Sequence, residues 1–375
     1  MKFIGKLKAL EKWQKRKLYF WTLTVLFITV IYLYATCSDM VRDEQYAQRE
    51  WNEREGNSAV VSEEFREQCA ATAVPVSVST YIKSVDSIDI KQSQFGITFD
   101  VMFGWDMEKY PDFDMTKKFE LYNGWITDLK LLDSYESEGK YFQLFQVSAN
   151  VKQIFNTSRF PLSSYQLHMY LKPVQDMTKI NMVKMDESYF GSLEQLNVAG
   201  FVMKSVKSDL YYYEDPCPQR YQTMSVEQNP VIYSELLQCL ELKRSTFGLY
   251  FKCIIALIGT SIWVFLTLFV CIHHNVDTMG MIPAVLFGTV SNIAVGANLI
   301  PDALETGLLE YINIWGIYTV IIVTVVIITI NSIRTHNKDD KFARIFGKIM
   351  FFELLITILA GHVLIPYCAY AGGPH

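Results

Sequence analysis

The residues whose types and spacing could do chemistry are few, and most lie in one apolar stretch late in the chain. Gly280, Ala284, Phe287, Ser291, Ala294 and Asn298 recur at alternating steps of four and three, so on a helix they share one face. Small and weakly polar side chains on such a face have two uses. They can line a water-filled path, with Phe287 as an apolar constriction that closes it by dewetting. They can equally let a second helix approach closely, as in the small-xxx-small spacing of Gly280, Ala284 and Gly288. A register one residue away would turn Leu286 and Val290 to that side instead. Asp277 precedes the helix, and Asp302 and Glu305 follow it. Carboxylates at a pore mouth favour cations, but acids near helix ends also serve the helix itself.

Other chemistry finds no support. The six histidines are scattered, no Cys-x-x-Cys pair occurs, no glycine-rich phosphate loop follows a strand and no His-Glu-x-x-His is present. His273-His274 reads as a pair of polar turn residues. No enzyme, cofactor or metal centre is expected, and with a net charge of −5 neither is a nucleic-acid partner.

The elements that position these residues follow from hydropathy and charge. Half of the 375 residues are hydrophobic. Five stretches, Leu18–Ala35, Phe247–Ile272, Met279–Ile300, Leu308–Ile330 and Ile349–Tyr370, each approach the roughly 20 residues that span a hydrocarbon core of about 30 Å. Pro283 lies in the third, where loss of a backbone hydrogen bond predicts a kink. Basic residues cluster before the first span, from Lys2 to Lys17, and before the last, from Arg334 to Lys348, which predicts that both clusters are cytoplasmic. Residues 36–246 and the C-terminus then lie outside, in a multi-pass protein of the cell (inner) membrane. The first span reads as an uncleaved anchor, being longer than a signal-peptide core and ending in a poor cleavage site, Tyr34-Ala35-Thr36-Cys37. Glu353 and His362 are costly in a lipid-facing span, which predicts that both pack inward or mark a functional site.

Five segments are expected: a basic cytoplasmic segment 1–17, an anchor 18–36, a helical stalk 37–73 rich in Glu, Arg and Gln, an ectodomain 74–246 and a four-helix membrane domain 247–375. Within 74–246, short runs rich in Val, Ile, Tyr and Phe, bounded by turn residues, predict an antiparallel β-sandwich. Its expected strands include Phe119–Ile126, Tyr141–Val151, Phe201–Tyr213 and Val231–Leu242. Cys37, Cys69, Cys217 and Cys239 fall outside the membrane, where disulfides persist, but their pairing is open and free thiols fit the sequence equally well.

Three patches, in order, carry a family resemblance. Pro75–Asp106 reads PVSVSTYIKSVDSIDIKQSQFGITFDVMFGWD, Phe145–Leu171 reads FQVSANVKQIFNTSRFPLSSYQLHMYL, and Tyr233–Arg244 reads YSELLQCLELKR and runs into the first helix of the membrane domain. Together with the four helices that follow, they resemble the pentameric ligand-gated ion channels, the Cys-loop receptor type, and most closely its prokaryotic members. The anchor is an addition to that pattern. No cysteines flank Phe160-Pro161, serine replaces the usual acid of that loop at Ser163 or Ser164, the first pore helix lacks the family's mid-helix proline, and Thr127 stands for Pro in Trp125-Ile126-Thr127-Asp128.

The resemblance implies a homopentamer in membrane lipid, with Asp277, Gly280, Ala284, Phe287, Ser291, Ala294 and Asn298 on the channel axis. It also implies coupling through Asp86, Asp89, Phe160, Pro161 and Arg244, though Arg244 also suits a simple interfacial anchor. It implies a ligand site for a small molecule or protons under the hairpin between Tyr213 and Val231. Tyr211, Tyr212, Tyr213 and Tyr221 there could form an aromatic cage, and strand propensity alone also accounts for the tyrosine triplet. A non-conducting sensor or scaffold of the same fold, signalling through the anchor, is the competing expectation.

Overall fold

A computed structural model of the protein describes residues 10–56, 61–186, 190–192, 198, 200–214, 231–274, 276–300 and 306–371. It combines sheets with helices, of which five are long and apolar enough to cross a membrane: Lys12–Asp43, Gly248–His274, Met279–Leu299, Leu308–His336 and Asp340–Tyr370. The chain divides into two compact units. One is helical and contains residues up to Gln48, the short segment Thr157–Ser163 and everything from Phe247 onward; the other contains Arg49–Asn156 and Ser164–Thr246.

In the second unit, helix α2 (Glu63–Thr72) precedes ten strands: β1 Val74–Asp89, β2 Gln94–Asp106, β3 Phe119–Leu121, β4 Gly124–Ser137, β5 Lys140–Lys152, β6 Tyr165–Pro173, β7 Ile180–Lys184, β8 Gly191–Ser192, β9 Phe201–Glu214 and β10 Ile232–Arg244. One sheet runs β4-β5-β2-β1-β7, with β8 also on β1, and the other runs β3-β6-β10-β9. Alternation sends Phe95, Ile97, Phe99, Val101, Phe103 and Trp105 of β2 to the same side, where they meet Leu167, Met169 and Leu171 of β6 and Leu236, Leu240 and Leu242 of β10 in one core. A buried polar contact ties the sheets within it: Thr80 donates to Gln238 Oε1 at 2.5 Å, and Ser208 donates to the same oxygen at 2.7 Å.

Two strand expectations are corrected. The run Phe119–Ile126 is not one strand but the whole of β3 and the start of β4, which sit in different sheets. The ladders are not wholly antiparallel either, because β7 and β8 pair with β1 in parallel. The chain leaving β6 changes sheets, and it arrives at the free edge of β1 running in the direction of that strand.

Helix α1 runs unbroken over Lys12–Gly56, and its residues up to Gln48 belong to the helical unit. Its buried residues Gln14, Leu18, Val25, Thr29, Thr36 and Met40 are spaced four, seven, four, seven and four, the seven-residue repeat of a helix seam. Against α6 (Asp340–Ala371) it runs parallel: Trp13 packs on Phe342, and Thr22 donates to Glu353 at 3.0 Å. Against α5 (Leu308–His336) it runs antiparallel: Thr29 meets Tyr318 at 3.4 Å, Tyr32 donates to the Tyr311 carbonyl at 2.7 Å and stacks on Trp315, and Tyr311 bonds Asp39. Glu353 thus makes an interhelical contact, whereas His362 has no hydrogen-bond partner among the described residues.

Helix α3 (Gly248–His274) is closed at its end by Arg334, which donates to the carbonyls of Cys271 at 2.7 Å and Ile272 at 3.1 Å. His273 belongs to its last turn, with Nδ1 3.0 Å from the Phe269 carbonyl. A short 3₁₀ turn, Met279–Met281, leads into α4 (Ile282–Leu299). The kink expected at Pro283 is not formed, because α4 begins at Ile282 and Pro283 falls in its first turn. There a missing N–H has no intrahelical bond to lose.

Candidate functional site

Helix α4 is packed along one stripe. Ile282, Val285, Thr289, Asn292 and Gly296 are buried, and Asn292 donates to Asn313 of α5 at 2.6 Å. At roughly 100° per residue, the direction opposite that stripe is occupied by Ala284, Phe287, Ser291, Ala294 and Asn298. All five are exposed, as is Gly280 before them, and Phe287 is 78 % exposed. Leu286, Val290 and Ile293, also exposed, form the flank of the same surface rather than its centre. The alternative seam of Gly280, Ala284 and Gly288 does not run along one contact: only Gly288 meets another helix, where a Cβ would stand 2.3 Å from Thr260 Oγ1 of α3. Asp277 is exposed but anchored, accepting from the Met279 amide at 3.1 Å and from Asn331 of α5 at 3.2 Å. Asp302 and Glu305 lie outside the described residues.

The segment Thr157–Ser163 leaves β5 and returns to β6, yet belongs to the helical unit. Phe160 and Pro161 are buried there, and the Phe160 amide donates to the Thr157 carbonyl at 2.9 Å. The Leu308 amide at the start of α5 donates to the Ser158 carbonyl at 2.7 Å, and Gly307 passes so close that a Cβ would stand 2.9 Å from that oxygen. Within the strand unit, Asp86 and Asp89 are engaged at the β1–β2 hairpin. Asp86 accepts from Ser84 at 2.6 Å and Thr98 at 3.0 Å, and Asp89 accepts from the Gln92 amide at 2.9 Å. Arg244, closing β10, lies 4.0 Å over the Phe201 ring.

The tyrosine triplet of β9 is split by strand alternation. Tyr212 faces one way, packed against the small cluster of Val61, Cys69, Met177 and Ile232, with the Arg66 guanidinium 4.8 Å from its ring centre. Tyr211 and Tyr213 face the other, opposite Glu235 and Tyr233 of β10. Tyr213 reaches Tyr122, hydroxyl to hydroxyl, at 3.0 Å. Asn123 fixes that tyrosine beside β6 by bonding the His168 carbonyl at 2.8 Å and the Tyr170 amide at 3.2 Å. Tyr221 lies outside the described residues.

Four residues of this face were not singled out by spacing: Tyr122, Lys172, Tyr233 and Glu235. The Lys172 ammonium sits 4.2 Å from the Tyr233 ring centre and 5.5 Å from that of Tyr122, with Glu120 at 3.3 Å. The aromatic surface is therefore occupied by a cation of the protein's own. Glu235 is only 4 % exposed, and its Oε1 has no hydrogen-bond partner among the described residues. Burial pushes its carboxyl up to about 7, with the Lys172 charge pulling the other way. The sequence signal for it was present: a lone acid at the centre of Tyr-Ser-Glu-Leu-Leu, a run that is otherwise strand-like.

Among the described residues no group of three or more His, Cys, Asp or Glu side chains is placed to hold a metal ion. Compared with known proteins, the chain matches no family model, and no curated protein sequence matches it.

Proposed function

We propose that the protein is one subunit of a pentameric, ligand-gated type of ion channel, a β-sandwich ectodomain followed by a four-helix pore domain with an added N-terminal helix, in which five α4 helices surround the ion path. The observation that carries this reading is the surface of α4. Directly opposite its packing stripe it presents small and weakly polar side chains with a single bulky residue, Phe287, a composition unlike the large apolar side chains that α1 turns outward. The seating of Thr157–Ser163 on the start of α5 supports a mechanical role for that loop, since a strand-to-strand connection is bonded to a helix of the membrane domain. Asp277 favours cations near the pore entrance. The face holding Lys172, Tyr122, Tyr213, Tyr233 and Glu235 is the proposed sensing surface, with protons acting through Glu235. Reconstitution into planar bilayers tests the reading: unitary currents whose open probability changes with outer pH or with a ligand support it. Purified fivefold particles that pass no current under any such condition contradict it.

A second reading is favoured by a separate observation. The polar contacts of α1 extend along both α5 and α6, as expected if the anchor relays a signal without conduction. Removing residues 1–36 discriminates: activity that survives the deletion intact contradicts a relay through α1.

A further inference from the structure

The seam between α1 and α6 keeps a constant offset. Thr22 meets Glu353, 331 positions apart. Fifteen residues further along both helices the same offset brings Cys37 to Cys368; both are free thiols, and their side chains lie close enough to interact. These are also the two half-exposed cysteines among those described, since Cys69, Cys239, Cys253 and Cys271 are all buried. Their height in the membrane is fixed twice over. Cys37 lies 20 residues beyond Lys17, the last basic residue before the first span, and Cys368 lies 20 beyond Lys348, the last before the final one. At about 1.5 Å per residue this is about 30 Å, the thickness of the hydrocarbon core, so both thiols stand at the far interface from the basic clusters.

We infer that Cys37 and Cys368 form a disulfide that staples the outer end of the N-terminal helix to the last helix. The inference rests on the topology proposed above, with both basic clusters cytoplasmic, because only then do the thiols face a compartment where disulfides persist. The oxidant is a disulfide-bearing thiol compound or protein of that compartment. One cysteine, as thiolate, attacks the oxidant's S–S bond and expels one of its sulfurs; the second cysteine thiolate then attacks the mixed disulfide and expels the other. Two electrons pass to the oxidant, whose two sulfurs leave as thiols carrying the two protons lost by the cysteines. Partial exposure lets the oxidant in, and the nearness of the thiols favours the intramolecular second step.

The test uses the full chain with a C-terminal epitope, in spheroplasts, where antibody reaches the outer face of the inner membrane. Thiols are trapped with acid and N-ethylmaleimide, and the protein is digested without reduction and mapped by mass spectrometry. A linked peptide pair joining Cys37 and Cys368 is expected in most molecules, reforming after reduction when glutathione disulfide is added, and absent from both Cys37→Ser and Cys368→Ser. Antibody access to the epitope reports the topology separately. An accessible epitope with both cysteines alkylated, and still unlinked after glutathione disulfide, overturns the disulfide and leaves the topology standing. An inaccessible epitope overturns the topology and this inference with it. Both readings come from the unmutated chain, so neither depends on a variant that fails to fold.

Discussion

A carboxyl group enclosed by a sheet and its side chains is held most cheaply in its protonated form, and Glu235 is such a group. Its folded value, near 7, lies above the ordinary 4.5, so the native state binds the proton more tightly than the unfolded chain does. Stability from this residue is fully present below pH 4.5, is lost as pH rises through 7, and is constant above that. The loss is on the order of 3 kcal/mol. Thermal melts of the purified protein between pH 4 and pH 8 should show this decline, and Glu235→Gln should flatten it and raise the melting temperature at pH 8. A steeper decline in the variant would contradict the assignment. Lys172 opposes the shift, so Lys172→Met should carry the pH dependence to higher pH. The same residues mark what sequence does not show. The tyrosine triplet of β9 was visible, but the contact of Lys172 with Tyr122 and Tyr233 joins two strands and the turn between β3 and β4, and no local pattern encodes that meeting.

At the scale of elements, what was legible depended on which faces are buried. The shared face of α4 was visible because composition and the helical period agree over its whole length, and its residues are exposed in the structure. Strand β4 beyond Ile126 could not, because it is a sheet edge, mostly exposed on both faces, and its sequence therefore lacks alternation. Its turn was equally hidden: Glu138 and Gly139 both adopt positive φ, a two-residue hairpin built with an uncommon first residue. Gly288 gives the element-level test. Its approach to Thr260 leaves no room for a methyl group, so Gly288→Ala should force α3 and α4 apart at a cost of about 1–3 kcal/mol. Thr260→Ala in the same chain should restore much of the loss, measured as folded yield in detergent; a Gly288→Ala protein as stable as the parent would show that the two helices are not packed this way.

For the whole molecule, α1 is a structural member of the helical unit rather than a tether. Its seam is partly polar, with Gln14 donating to Asp339 at 2.7 Å and Thr22 to Glu353, while Phe20, Leu23, Phe27, Val30 and Tyr34 are exposed, the reverse of a helix in water. Thr22→Val should therefore destabilise by about 1–3 kcal/mol, because it leaves the half-buried Glu353 carboxyl without its donor, whereas Leu23→Ala should leave folded yield near the parent level. The central claim, a path lined by α4 and closed at Phe287, is tested by ion flux from proteoliposomes holding equal amounts of assembled parent and Phe287→Ala protein. Phe287 is 78 % exposed within the subunit, so truncating it opens no cavity there and should cost little stability. The account predicts a resting leak at normal assembly yield, many times that of the parent. A normally assembled Phe287→Ala protein that leaks no more than the parent would contradict it.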